Sequence, residues 1–438
     1  MQRDMRVLSG SSPLSSRPFR LLAGARTLLM LGNSIAPVAL AFAVLDLHSS
    51  ASALGIVVGA RSLANVVFLL FGGVLADRLP RQLILVGSSL GGALSQGAVA
   101  ALVLSQNQSL VALAGFAALN GALAAFAFPA SAALLPSTVS AEQRRSANAL
   151  IRLGANGAMV VGGAAAGILV AVIGSGWAIA VDSASFALAA VLFAGIHVPR
   201  PSEVQSTTPR ASTASEAGAV IIRGPRLILR ELGTGWREFR SHQWVWTVVL
   251  GAMLINAAYL GAVQVVGPTV ADATIGRSKW GFILAAQTLG LVLGGLWAVR
   301  SKNASSLPRG VAFVAAMALL PLALAVAPVP ALLILAAVLA GVGLEQFGVA
   351  WETAVQTHIA DDRLARIYSL DAFGSSLAVP LGVLSAGAAA DAFGAEQVLI
   401  AAAAITVGTS AALLLVPSVR RLPESRPPES PQPSSAMA

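Results

Sequence analysis

Gly72-Gly73-Val74-Leu75-Ala76-Asp77-Arg78 is answered 222 positions later (294 less 72) by Gly294-Gly295-Leu296-Trp297-Ala298-Val299-Arg300. Both stretches run from paired glycines through an apolar turn to an arginine, and both close a long apolar segment. A second pair agrees, since Gly59-Ala60-Arg61-Ser62-Leu63 resembles Ala285-Ala286-Gln287-Thr288-Leu289 at a separation of 226 (285 less 59). The two offsets differ by about one helical turn. The chain therefore reads as two copies of one unit.

The unit belongs in lipid. Hydrophobic residues fill 56% of 438 positions and charged residues only 11%, where a soluble chain carries roughly 25% charged residues. At about 20 apolar residues per crossing, the sequence predicts helices near 21–46, 52–76, 83–105, 109–135, 146–172 and 176–197, then 243–270, 278–299, 308–327, 329–357, 366–390 and 395–416. The expected fold is an all-α membrane protein of twelve transmembrane helices in two six-helix bundles. Its divisions are a cytoplasmic N-terminus (1–20), an N-terminal bundle (21–197), a linker (198–242), a C-terminal bundle (243–416) and a disordered tail (417–438). No removable leader is expected in the first 18 residues, which lack a short apolar core with a small-residue cleavage site.

The linker begins Pro-, Ser- and Thr-rich over 199–218 and then changes character. Leu229, Leu232, Trp236 and Phe239 recur at helical spacing with Arg230, Arg237 and Arg240 on other faces, as in an amphipathic helix on an anionic membrane surface. The net charge of +9 resides in Arg residues scattered between apolar stretches, so it is read as topology and no nucleic-acid partner is expected. Arg17, Arg20, Arg78, Arg81, Arg144, Arg145, Arg300, Lys302, Arg309, Arg363, Arg366, Arg420 and Arg421 share one side with the linker, while Arg277 and Lys279 stand nearly alone on the other. Both termini and the linker are therefore expected in the cytoplasm of a bacterial cell, in a multi-pass protein of the cytoplasmic membrane.

Gly73-Val74-Leu75-Ala76-Asp77-Arg78-Leu79-Pro80-Arg81-Gln82 resembles the loop motif between the second and third helices of the major facilitator superfamily. It departs from that motif at Pro80, where Gly is usual, and at Gln82, where a basic residue is usual. The stretches 39–45, 145–150 and 181–186 resemble the bacterial exporter branch, which includes the enterobactin exporter and tetracycline and multidrug efflux pumps. The resemblance spans about residues 20–416. It implies a monomeric secondary transporter, an antiporter exporting a small molecule against protons, with no cofactor beyond the proton gradient. It also implies a conformational latch of Gly73, Asp77, Arg78 and Arg81, in which Asp77 caps the eleventh helix. Physically, a carboxylate just past a helix end can cap a neighbour's positive N-terminus; a purely topological role for these charges is the plainer alternative.

Candidate substrate and proton-coupling residues come from polar groups at membrane depth. Glu345 and Glu352 lie two turns apart on the tenth helix, on a stripe with Gly341, Gly348 and Gln356. A carboxylate in the bilayer costs about 2.5 kcal/mol or more, so it is expected to face a cavity or a partner. Arg61 and Asn65 share a face of the second helix, Asn256 and Gln264 one on the seventh beside Tyr259, and Asn33 sits on the first. Asp182 is a possible partner of Arg61. For each of these singly, an interhelical hydrogen bond is the simpler reading. The expected cavity is lined by helices one, two, four, seven and ten. The glycines at 154, 157, 162, 163 and 167 form a small-residue face of the fifth helix.

Other classes find no support. There are no cysteines, the four histidines lie near helix ends at spacings unsuited to a metal, and no phosphate-cradling or nucleophile-elbow motif occurs. Rocking of two halves does not fix direction, so an uptake carrier remains an alternative. A non-transporting receptor or scaffold would keep the fold but would need no buried acids.

Overall fold

The computed structural model describes residues 12–78, 80–107, 109–140, 143–196, 239–300 and 306–422. Twelve helices within them are long and apolar enough to cross a bilayer. The first six are α1 (Arg17–His48), α2 (Ala51–Arg78), α3 (Arg81–Leu104), α4 (Leu110–Leu134), α5 (Arg144–Ile173) and α6 (Ser175–Ala194). The second six are α7 (Gln243–Ala273), α8 (Arg277–Arg300), α9 (Leu307–Val326), α10 (Pro330–His358), α11 (Ile367–Phe393) and α12 (Ala395–Leu415). In α11 a helical stretch that begins at Asp361 is interrupted at 377–378 before Val379. The amphipathic linker helix expected over 229–239 lies outside the described residues except for Phe239. Pro417–Arg420, expected in a disordered tail, form a helical turn instead, because Val419 is buried in the core of the second half.

Packing inside each half follows one plan. In the first, α2 packs on α4, α3 on α6 and α1 on α5 and α6; in the second, α8 packs on α10 and α7 on α11 and α12. The α2–α4 and α8–α10 crossings are close copies. A Cβ on Gly121 would lie 2.1 Å from the carbonyl oxygen of Arg61, and one on Gly341 would lie 2.1 Å from that of Gln287. Arg61 and Gln287 are residues the sequence repeat pairs, and at each crossing only glycine lets two backbones come so close.

The halves meet at one end. Ala51–Gly59 of α2 pack against Val383–Asp391 of α11, and Gly163–Gly167 of α5 against Arg277–Ala285 of α8. These segments lie toward the end opposite the termini, called here the far end. The buried core repeats this asymmetry. One continuous apolar cluster runs through both halves at the far end, from Ile35–Leu47 to Trp280 and Val383. At the terminal end each half keeps its own cluster, around Phe19, Leu85 and Phe193 in the first and around Trp244, Val311 and Trp351 in the second.

Two irregularities place the cavity. α1 contains Pro37 and α7 contains Pro268, each the first helix of its half. A proline inside a helix removes one backbone hydrogen bond and clashes with the preceding turn. In α7 the strain is met by a π-helical turn, Ala262–Val266, just before Pro268. Such turns widen the helix locally, and this one presents Gln264 to the space between the halves.

Candidate functional site

A cavity of about 300 Å³ lies between the halves. The first half lines it with Asn33, Ser34 and Pro37 of α1, Arg61 of α2 and Gly163 of α5; the second supplies Tyr259 and Gln264 of α7 and Trp280, Gln287 and Thr288 of α8. α5 and α8 thus replace α4 and α10 among the expected lining helices. The reason is packing: the glycine faces of α4 and α10 are consumed by the α2 and α8 crossings, which turn these helices away from the central space. The glycines of α5 divide by partner. Gly154 and Gly162 accommodate Thr27, Leu31 and Ser34 of α1, whereas Gly163 and Gly167 accept α8 across the interface.

A second cavity of about 340 Å³ lies wholly in the first half and shares Asn33 and Arg61 with the central one. Arg26, Ser88, Ser89, Asn120 and Ser131 also line it, against an apolar wall that includes Leu85, Leu123 and Phe186. Arg61 is held by its Nε–H, which donates to Asn120 Oδ1 at 3.2 Å. One turn on, Asn65 Nδ2 donates to Gly121 O at 3.1 Å, so Asn65 ties α2 to α4.

Asp182 is completely buried on α6. Gln96 Nε2 donates to its Oδ2, while Oδ1 has no hydrogen-bond partner among the described residues. Gly32 makes room for this carboxylate, since a Cβ there would come within 2.3 Å of Oδ1. The expected partnership with Arg61 is electrostatic and not a direct ion pair: the Nε–H of Arg61 goes to Asn120, and Oδ2 of Asp182 accepts from Gln96. Gln96 and Asn120 were not singled out in the sequence. Amides in apolar helices give no periodic sign of which neighbour they serve.

In the second half, Tyr259 is 3% exposed and its hydroxyl, close to Gln287, meets no partner at hydrogen-bonding geometry among the described residues. Asn256 points elsewhere: its Nδ2 donates to Ser375 O at 3.0 Å, beside a 220 Å³ cavity inside the second half. There Trp351 Nε1 donates to Asp371 Oδ2 at 2.9 Å. Glu345 is half-buried against Gly294 and Gly295 of α8 and lines none of these three cavities. The charges that act on it are Glu352 and, from α5 of the other half, Arg152. Glu352 itself is exposed. Of the expected latch, Arg81 is exposed at the start of α3, while the side chains of Gly73, Asp77 and Arg78 lie outside the described residues.

Two polar clasps hold the far end. Arg277, one of the isolated basic residues on that side, donates from Nη2 to Asp46 Oδ1 of α1 at 2.6 Å and from Nε to Asp272 Oδ1 at 2.7 Å. Its guanidinium also lies 5.0 Å from the ring centroid of Phe42, within cation–π range. On the other side of the interface, Asp391 of α11 accepts from Ser50 Oγ and from the backbone N–H groups of Ala51 and Ser52. The N-terminus of α2 is thereby capped by a carboxylate from the opposite half.

A bundle of two six-helix repeats around a mid-membrane cavity, sealed at one end, is the architecture of a membrane transporter and not of an enzyme. The chain belongs to the Major Facilitator Superfamily, whose family model matches residues 22–319. Among solved structures it is similar to a mutant form of the nucleoside transporter NupG, with a TM-score of 0.69 at 13% identity over 91% of this chain and 99% of that one. It is also similar to a bacterial homologue of the human lysosomal transporter Spinster in an inward-facing state (0.69, 16%, 94% and 98%). A bacterial homologue of the iron transporter ferroportin, also inward-facing, gives 0.66 at 16% identity over 91% and 99%. At these identities the likeness is one of fold. No curated protein matches the sequence significantly.

Proposed function

We propose that this protein is a proton-coupled exporter of a small amphipathic molecule, working by alternating access as a monomer in a bacterial cytoplasmic membrane. The carrying observation is the cavity between the halves, with a shared core on its far side and separate cores on the other. With the arginine-rich terminal end in the cytoplasm, this conformation is inward-facing. Substrate then enters from the cytoplasm beside Asn33, Arg61, Tyr259 and Gln264. Rocking of the halves breaks the far-end clasps and joins the terminal-end clusters.

Glu345 supports the coupling step. It is half-buried, and the cation acting on it, Arg152, belongs to the other half, so rocking changes that interaction and with it the affinity of the carboxylate for a proton. Export is favoured by the exporter-like stretches at 39–45, 145–150 and 181–186. The test has two stages. Cells expressing the protein are challenged with a panel of toxic amphipathic compounds, and the compound best resisted is then used in proteoliposomes with a pH-sensitive dye. Substrate-dependent proton movement in the wild type and its loss in Glu345→Gln is the expected result; equal coupling in both removes Glu345 from the mechanism, and accumulation of the compound in cells reverses the direction.

A further inference from the structure

Among the described residues, no acid lines the first-half cavity, which holds two arginines. Arg26 is half-buried nine residues into α1, and among the described residues no hydrogen bond or ion pair holds it. Arg61 gives its Nε–H to Asn120, leaving its terminal nitrogens without an acceptor among the described residues. Asp182, the acid whose charge acts on Arg61, is buried beside Gly32 with its Oδ2 engaged by Gln96, one carboxylate against two guanidinium groups. An unbalanced positive charge at membrane depth costs several kcal/mol unless a counter-charge arrives.

Building on the carrier reading above, we infer that the cavity between Arg26 and Arg61 binds the anionic group of an amphipathic carboxylate, sulfonate or phosphate. Guanidinium groups suit this role because their forked N–H donors match the oxygens of such anions. Asn33, Ser89 and Asn120 supply further polar atoms around the charge, and Leu85, Leu123 and Phe186 supply an apolar wall for the remainder of the molecule. Arg61 lines both cavities, so an anion held there stays within reach of the central space when the halves rock. The acids of α10, Glu345 and Glu352, do not line this cavity.

The experiment measures equilibrium binding of radiolabelled 1-naphthoate, neutral 1-naphthamide and cationic 1-naphthylmethylamine to the full chain in phosphatidylcholine nanodiscs. Naphthoate is expected to bind at least about ten-fold more tightly than naphthamide, with the amine weakest, as charge-assisted hydrogen bonds predict. Arg26→Gln and Arg61→Gln should each remove most of that advantage, with an unchanged gel-filtration profile and Tm reporting that the variants are folded. Arg26→Lys and Arg61→Lys should retain part of it. Equal binding of naphthoate and naphthamide, preference for the amine, or naphthoate binding indifferent to both Gln variants would overturn the assignment. The carrier reading is judged separately, by cysteine accessibility of the central cavity from each side. Replacing half of the lipid with phosphatidylglycerol distinguishes the source of the anion: competition with naphthoate identifies a lipid headgroup as the occupant, and unchanged affinity identifies a dissolved anion.

Discussion

The two repeats keep the same backbone crossing and fill it with different chemistry. In the first half Arg61 of α2 crosses Gly121 of α4, and the residue before that glycine is Asn120, which accepts from the guanidinium. In the second half Gln287 of α8 crosses Gly341 of α10 at the same 2.1 Å approach, and the residue before that glycine is Ala340. Charge and its acceptor are present together in one copy and absent together in the other. The glycine crossing therefore belongs to the architecture, whereas the electrostatics belong to one half alone. The second half contributes neutral hydrogen-bonding groups and aromatic surface instead, in Gln264, Gln287, Tyr259 and Trp280.

The sharpest way to break this comparison is at the shared geometry. Gly121→Ala and Gly341→Ala each set a methyl group against a backbone oxygen that cannot move aside, and each should cost about 2 kcal/mol or more, beyond what the gain in helix propensity returns. The two losses should be equal within about 0.5 kcal/mol, read as falls in Tm in detergent. Gly115→Ala and Gly408→Ala, which meet nothing within 4 Å, should leave Tm unchanged or raise it. A large difference between Gly121→Ala and Gly341→Ala would mean that the crossings are not equivalent.

A smaller effect tests the divergent chemistry. Exchanging the side chains by combining Arg61→Gln with Gln287→Arg keeps the total charge but moves it opposite Ala340, where no acceptor waits. Transport of the compound found in the resistance screen should fall by about ten-fold or more, the worth of a charged hydrogen bond, with no recovery over Arg61→Gln alone. Full recovery would show that position around the cavity is immaterial.

The far-end clasps should give weaker effects. Arg277 and Asp46 are 26% and 34% exposed, so their attraction is partly screened. Arg277→Gln should raise the far-side-open population about five-fold, for about 1 kcal/mol lost across two carboxylates and the Phe42 ring. Faster far-side labelling of a cysteine at Val38 would register it. Asp391→Asn should do least, because the amide oxygen can still cap α2, and a shift of about two-fold or less is expected. A larger shift from Asp391→Asn than from Arg277→Gln would invert the ranking of the two clasps.

Much of this architecture was legible in the residues. Long apolar spans between arginine-bearing loops give twelve helices with ends close to those observed, since lipid allows few alternatives to a helix. The pairing of Arg61 with Gln287 read from the repeat reappears as two matching helix crossings. The cavity itself was less legible. Arg61, Asn33, Tyr259 and Gln264 line it, but Asn65 and Asn256 are occupied with backbone carbonyls and Glu345 packs against glycines of α8. A polar residue in an apolar helix states that it needs a partner without stating on which side. Arg26 was passed over for a related reason: near a helix end it resembles the many arginines that orient the chain, and only the folded arrangement brings it onto one wall with Arg61.

The continuous apolar cluster at the far end has a thermal consequence. For that end to open, residues such as Val57, Val265, Ile283 and Val383 must separate, and some of the surface they bury would meet water. Wetting of apolar area carries a positive heat-capacity change, so the free-energy gap between the two orientations bends with temperature. The Arrhenius plot for turnover should accordingly be curved even where the lipid stays fluid, and its curvature would gauge how much greasy surface each cycle unzips.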